Sequence, residues 1–322
     1  MSLMTYLSFL ALTLFLVTID IWQTRGTRIS LKRALSWSLF WVLLAFIFAT
    51  TLFLFWDIYL PNSDYNASQA TLAFLTGYLL EKSLSIDNLF VFAIIFHQYS
   101  VPDPLRPRAL LYGVIGALIL RGMMIVIGAQ LLAQYHWILY VFAVFLIWTG
   151  IQLAREKQHS ELNPFPERIM RRWFNVTHDY SGHALFVRQQ KNWWVTPMFI
   201  VVGMIACMDV MFALDSIPAI FAVTREPFLV LAANVFALLG LRSLYFVLQG
   251  MMDKFIYLKP ALAFIMLFIG IKMLLVGSPW EIPTPISLSV LLVTMLIAVI
   301  ASLMKGQTIK THTAIKVEKE YK

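Results

Sequence analysis

The sequence predicts an all-α polytopic membrane protein of about nine transmembrane helices, six of which form two inverted three-helix repeats. Three observations lead there. The chain is 60% hydrophobic and 13% charged, with a mean hydropathy of +0.76, whereas a soluble domain carries about a quarter charged residues. Its basic residues collect on alternate connections between apolar runs, and charged landmarks recur within the runs at a nearly constant offset.

A bilayer crossing needs about 20 apolar residues, and such runs fall near 3–23, 34–56, 68–97, 109–133, 137–154, 195–223, 228–249, 260–276 and 286–304. The first has no basic flank before it and no small-residue cleavage site after it, so it reads as a retained helix and not a signal peptide. The single cysteine, Cys207, excludes an internal disulfide framework and a thiolate metal cluster. Twenty of the 25 lysines and arginines lie on the connections after helices one, three, five, seven and nine, against only Arg225 on the opposite side. Such an excess marks the cytoplasmic face. The expected topology is therefore an N-terminus outside and a C-terminus inside. The remaining four basic residues, Lys82, Arg121, Arg242 and Lys272, lie within helices.

The connection at 155–194 and the basic tail at 305–322 are then cytoplasmic, which accounts for the net charge of +8 without nucleic acid. Glu167-Arg-Ile-Met-Arg-Arg-Trp-Phe174 mixes cations and aromatics as an interfacial helix does. Asn175-Val-Thr177 matches a glycosylation acceptor but faces the wrong compartment. Trp22, Trp37, Trp41, Trp56, Trp137, Trp193 and Trp194 fall at or near helix ends, as an aromatic belt requires.

The repeats are read from landmarks. Asp87 matches Asp215 at an offset of 128, Arg121 matches Arg242 at 121, and Gly150 matches Gly270 at 120. Residues 68–154 and 195–276 are thus two copies of one unit. Because each has three helices, the second enters the membrane from the opposite face. In transporters built this way the substrate site lies near the midplane between the repeats.

Seven charged residues are placed inside the membrane: Glu81, Lys82, Asp87, Arg121, Asp209, Asp215 and Arg242. Each unpaired charge at mid-bilayer costs roughly 2.5–3.5 kcal/mol, so they must face one another or a wet cavity. Four acids against three bases leave one negative charge for a proton or cation. Asp87 with Asn88, and Asp215 with Ser216, set a carboxylate beside a neutral oxygen, a hard-ligand combination suited to Mg²⁺, Ca²⁺ or Mn²⁺. Glu81 and Asp87, like Asp209 and Asp215, are six residues apart, about 600° around a helix, and cannot share a face of a continuous one. Pro218 supplies a break, because it removes its own N–H and frees the carbonyl of Leu214. Arg121, Arg242 and Lys82 are the charge-balancing partners. An ion-pair network that only locks the repeats together is the structural alternative. Asp20 and Lys272 lie near helix ends, where snorkelling makes a charge cheap. Asn234 reads as an interhelical hydrogen-bond partner.

The stretches Leu80-Glu-Lys-Ser-Leu-Ser-Ile-Asp-Asn-Leu-Phe-Val-Phe92 and Phe212-Ala-Leu-Asp-Ser-Ile-Pro-Ala-Ile-Phe-Ala-Val-Thr224 resemble the paired signatures of the TerC/Alx family of bacterial integral membrane proteins. Ala73-Phe-Leu-Thr-Gly-Tyr78, Trp137-Ile-Leu-Tyr140 and Phe236-Ala-Leu-Leu-Gly-Leu-Arg-Ser243 extend the likeness to nearly the whole chain. The resemblance implies an inner-membrane protein of a two-repeat exporter superfamily, linked to manganese efflux or supply and historically to tellurium resistance. It implies Glu81, Asp87, Asn88, Asp209, Asp215 and Ser216 as metal-site residues. One departure stands out: Ala206 occupies the place of a glutamate in the second signature.

The expected function is a divalent cation transporter, with Mn²⁺ as cargo, no required cofactor, and protons as a candidate coupling ion. The alternative is a non-transporting scaffold or metal-sensing partner acting through 155–194. No enzyme is expected, since nucleotide-loop, zinc-protease and Gly-x-Gly-Asp patterns are missing.

Overall fold

The structure, a computed structural model, describes residues 3–23, 30–61, 63–135, 137–155, 165–189, 192–249 and 257–320. Within them the chain forms α1 (Leu3–Gln23), α2 (Leu31–Tyr59), α3 (Ala67–Gln98), α4 (Arg106–Gln134), α5 (Ile138–Arg155), α6 (Phe165–Trp173), a two-stranded hairpin, α7 (Pro197–Phe221), α8 (Pro227–Leu238), α9 (Leu241–Gln249), α10 (Leu258–Leu274) and α11 (Thr284–Glu320). Every predicted apolar run has a helical counterpart. Six helical stretches among the described residues are long and apolar enough to cross a bilayer, or seven if α8 and α9 count as one span. Two others differ for identifiable reasons: α3 carries Glu81, Lys82 and Asp87 close together, and α10 has only 17 residues. This is an integral multi-pass helical membrane protein.

Helix starts follow local chemistry. Asn66 caps α3 by accepting from Gln69 N at 2.8 Å, while Gln69 Oε1 accepts from Asn66 N, a reciprocal box that satisfies two orphan donors. Pro197 and Pro227 open α7 and α8, where a missing N–H costs nothing.

Lipid offers no hydrophobic drive for helix association, so contact rests on packing and on small residues that let backbones approach. The α5–α10 pair shows this reciprocally. A Cβ on Gly150 would lie 3.2 Å from the Ala263 carbonyl and 3.0 Å from Leu267; one on Gly270 would lie 3.0 Å from the Ala143 carbonyl and 2.7 Å from Ile147. Each glycine meets the residues three and seven positions before the other. In the same way α3 packs on α8, and α4 on α7.

The buried apolar residues form two clusters. One joins α1 and α2 to the N-terminal part of α3, the C-terminal parts of α4 and α7, and to α5, α8 and α10. The other joins the C-terminal part of α3 to the N-terminal parts of α4 and α7 and to α9. Thus α3 and α7 run antiparallel, and both clusters stop at the same level in every helix, near Glu81, Arg121 and Asp209.

Several expectations change. Trp41 and Trp56 are core residues, each 1% exposed, and not belt anchors; Trp56 Nε1 donates to the Tyr65 carbonyl at 2.7 Å. Trp22, Trp137 and Trp193 do stand exposed. Lys272 is 4% exposed, so it does not snorkel. α7 stays helical through Pro218 to Phe221, one turn further, so the proline leaves the Leu214 carbonyl without its helical donor but does not interrupt the helix. The interruption lies instead between α8 and α9, which bend by 42° at Leu239–Gly240.

The connection between α5 and α7 is structured. α6 lies against α7, where a Cβ on Gly203 would come within 2.5 Å of Met170 Sδ. β1 (Phe186–Gln189) and β2 (Asn192–Val195) pair antiparallel, Phe186 opposite Val195. Glu167 accepts from the Tyr99 hydroxyl at 2.5 Å and from Arg171 Nε at 2.6 Å. Burial opposes its charged form, but these two donors outweigh burial and hold the carboxyl below its ordinary value.

Gly240 has φ +77°, and a Cβ there would come within 2.4 Å of the Trp41 ring. Gly240→Ala should therefore destabilise the protein by about 1–3 kcal/mol through overpacking and left-handed strain, read as a lowered thermal unfolding temperature in detergent. An unchanged midpoint would mean that the bend is not held by this contact.

Candidate functional site

The level at which both apolar clusters stop is filled by one arginine. Arg121, halfway along α4 and 1% exposed, turns its guanidinium toward α3, α7 and α8. Its Nε and Nη2 each donate at 2.9 Å to the two oxygens of Asp209. Its Nη1 faces Glu81 Oε1, with Ser216 Oγ at 3.3 Å and Asn234 Oδ1 at 3.2 Å. Glu81, Asp209, Ser216 and Asn234 are all 2% exposed or less. Asn234 is oriented by its own Nδ2, which donates to the Val230 carbonyl at 3.0 Å. Planar, fixed donors suit a buried carboxylate pair better than an ammonium would.

The pairing leaves a remainder. Two carboxylates face one guanidinium, so the buried centre carries one formal negative charge. Among the described residues Glu81 Oε2 finds no hydrogen-bond partner, nor do Ser85 Oγ and Asn88 Nδ2, all of them buried. Residues 81, 85 and 88 are spaced to fall on one face of α3. A polar stripe thus leads from the centre toward the α6 end of the molecule.

A second buried ion pair lies at the α8–α9 break. Arg242, second residue of α9, donates from Nε to Asp20 Oδ2 at 2.8 Å and pairs through Nη2 at 2.6 Å. Asp20, 4% exposed, also receives Gln23, and Arg242 reaches the Asp20 carbonyl as well. Lys82 Nζ donates to the carbonyls of Ala237 at 3.0 Å and Leu239 at 3.2 Å, satisfying the orphan acceptors where α8 ends.

The sequence-predicted residues are therefore divided. Glu81, Asp209 and Ser216 meet on Arg121, while Arg242 and Lys82 belong to the break. Asp215 is set apart. Six residues beyond Asp209 on an unbroken helix, it lies about 9 Å further along the axis, half-buried beside Thr149, with Oδ1 unpartnered. Asp87 lies six residues beyond Glu81 on unbroken, antiparallel α3, hence about 9 Å from the centre in the opposite direction; its side chain is outside the described residues. Among the described residues no group of three or more His, Cys, Asp or Glu side chains converges to hold a metal. Ala206 sits one turn before Asp209 on α7.

Asn234 is the interhelical hydrogen-bond partner that the sequence suggests, accepting from Arg121 across the α4–α8 contact. One partner escapes sequence reasoning. Asp20 lies three residues from the end of α1, where a charge is ordinarily inexpensive, and its partner is 222 residues away.

A helical bundle that buries charged groups and pairs Arg121 and Arg242 with acids on other helices defines a multi-pass membrane protein with a polar centre. The chain belongs to the integral membrane protein TerC family, whose pattern it matches over residues 66–310. It is 44% identical over 265 residues to a Salmonella typhi protein provisionally named membrane-bound redox modulator Alx, covering 81% of each chain. The Escherichia coli K12 protein of the same name is 43% identical over the same share. An uncharacterized membrane protein of Myxococcus xanthus, STKORF319, is 38% identical over 310 residues, 95% of this chain and 94% of that one. No solved structure matches the chain.

Removing one partner of a buried pair typically costs about 3–5 kcal/mol, because the other charge is stranded. Asp20→Asn should lower thermal stability on that scale, and Asp20→Asn with Arg242→Gln should lower it less than Asp20→Asn alone. Equal losses would show that the pair is screened by water.

Proposed function

We propose that this protein carries a hard divalent cation, Mn²⁺ foremost, across the bacterial inner membrane by alternating access between two inverted repeats, residues 68–154 and 195–276. The observation that carries the reading is Arg121 itself: it binds Glu81 of one repeat and the equivalent Asp209 of the other at their junction. Packing supports the repeats. α5 and α10 meet through equivalent glycines, and α3 on α8 has its counterpart in α7 on α4. In this reading α3 and α10 complete nine spans, with the N-terminus outside and the C-terminus in the cytoplasm.

Charge supports the cargo. Glu81, Asp209 and Asp20 are set against Arg121, Arg242 and Lys82. Asp87 and Asp215 are the equivalent residues of the two signatures; with Asp20 and the buried Lys272 counted, five acids face four bases, a negative remainder that a cation answers. Each lies six residues beyond an acid of the centre, on antiparallel helices, so in this reading they serve opposite faces in succession, with Glu81 and Asp209 between them. All of these offer oxygen, the preference of Mn²⁺, Mg²⁺ and Ca²⁺. The TerC/Alx resemblance points to Mn²⁺ efflux, and a proton gradient or the membrane potential is the available drive.

A second reading is favoured by the 165–195 segment. Trp173 is 78% and Trp193 70% exposed, beside Arg168, Arg171, Arg172 and Arg188. The provisional name of the relatives speaks of modulation rather than transport. A scaffold or metal-sensing partner would dock through this surface without moving ions.

Reconstituted vesicles distinguish the two. Mn²⁺ flux should be present in the wild type and fall at least tenfold in Asp209→Asn and Asp215→Asn, while Trp173→Ser with Trp193→Ser leaves it intact. Flux indifferent to both aspartates would overturn the transport reading. Loss of cellular phenotype in the tryptophan variant with normal flux would favour docking.

A further inference from the structure

We propose that Arg121 is a tethered cation occupying an all-oxygen cage that also fits a divalent metal ion, and that the two are mutually exclusive occupants. The inference rests on the transport reading only for its purpose, since the cage is defined by contacts within the fold. Five oxygens converge on one guanidinium: Glu81 Oε1, both carboxylate oxygens of Asp209, Ser216 Oγ and Asn234 Oδ1. They come from α3, α7 and α8. A sixth, Glu81 Oε2, is buried on the same carboxylate and has no hydrogen-bond partner among the described residues. Hard divalent cations take about 6–8 oxygens.

Charge makes the exchange favourable in one direction. With Arg121 in place two carboxylates share one guanidinium in a buried site. A divalent ion neutralises both. Arg121 cannot lose its proton to make way, so it must leave the cage as a cation, and a metal ion enters only as the guanidinium withdraws. The arginine therefore lowers affinity for the ion, which keeps a central site from becoming a trap. It also keeps the centre occupied by a positive charge between transport events, which opposes leakage of other cations through it. Asn234 becomes a ligand under this assignment, and its Val230 bond fixes which atom it presents.

The test is equilibrium binding of Mn²⁺ alone to the purified full-length chain in detergent at neutral pH, followed by calorimetry and by the Mn²⁺ electron paramagnetic resonance signal. Arg121→Gln should bind one Mn²⁺ at least tenfold more tightly than the wild type. Adding Glu81→Gln or Asn234→Leu to that variant should remove most of the gain. Arg121→Lys, which keeps the charge but cannot span five acceptors, should fall between wild type and Arg121→Gln. It serves as the deciding variant if Arg121→Gln does not yield folded protein. Unchanged affinity in whichever variant folds, or a gain that survives Glu81→Gln, would overturn the proposal. Wild-type vesicles without Mn²⁺ flux, beside a clear gain in Arg121→Gln, would sink the transport reading and leave this cage standing.

Discussion

The rest of the structure depends on the burial of one guanidinium. Arg121 is fully protonated and sealed from water and lipid, so each of its donors must find an oxygen within the protein. Meeting that demand fixes the relative positions of α3, α4, α7 and α8 more sharply than apolar contact can, because in a bilayer the tails outside are as greasy as the side chains inside. The two apolar clusters stop at this level because the residues between them are polar. A buried ion pair is weak evidence for stability as such, but good evidence for specificity when its geometry admits one register. The bidentate contact to Asp209, with Glu81 and Asn234 on the remaining nitrogen, is of that kind.

The α8–α9 break follows the same logic at a different address. Ending a helix inside a membrane strands its last carbonyls, and lipid cannot satisfy them. Lys82 supplies the donors from α3, while Arg242, which opens α9, is neutralised by Asp20 from α1. Helix α1, outside the proposed repeats, thus takes part in the polar interior. It gives Arg242 a partner different from that of Arg121, although the two arginines occupy equivalent places in the sequence. The departure from symmetry leaves Arg121 alone to answer both Glu81 and Asp209. One cation facing two carboxylates at the junction is a direct result.

Much of the architecture was legible because it is written in one-dimensional signals. Long apolar runs become helices wherever water is excluded, and the cost of intramembrane charge says that Glu81, Lys82, Asp209, Arg121 and Arg242 must find partners. Which partners they find is not written there. Periodicity could separate Asp209 from Asp215 by angle, but only the unbroken α7 shows that depth separates them as well. Pro218 looked like the interruption because proline deletes a hydrogen bond; the helix carries that loss near its end, whereas Gly240 takes a left-handed φ and ends α8. Trp41 was assigned to an interfacial belt by position, but the bend at Gly240 leaves a surface that only a large flat side chain covers. Asn234 was legible as an interhelical hydrogen-bond partner but not as a partner of Arg121, and Asp20 was read as a cheap end-of-helix charge because its partner lies 222 positions away.

Ala206 gives the central charge its meaning. A glutamate one turn before Asp209, as the family signature suggests, would bring a third carboxylate toward Arg121 and leave two uncompensated charges. A divalent ion could then bind beside the arginine without moving it. With alanine there, only one charge remains, so a metal ion restores neutrality only by taking the arginine's place. The same residue that makes this chain look depleted beside the signature therefore makes movement of Arg121 a condition of binding at the centre. Affinity there is set by how readily one guanidinium, held by five oxygens, can be released.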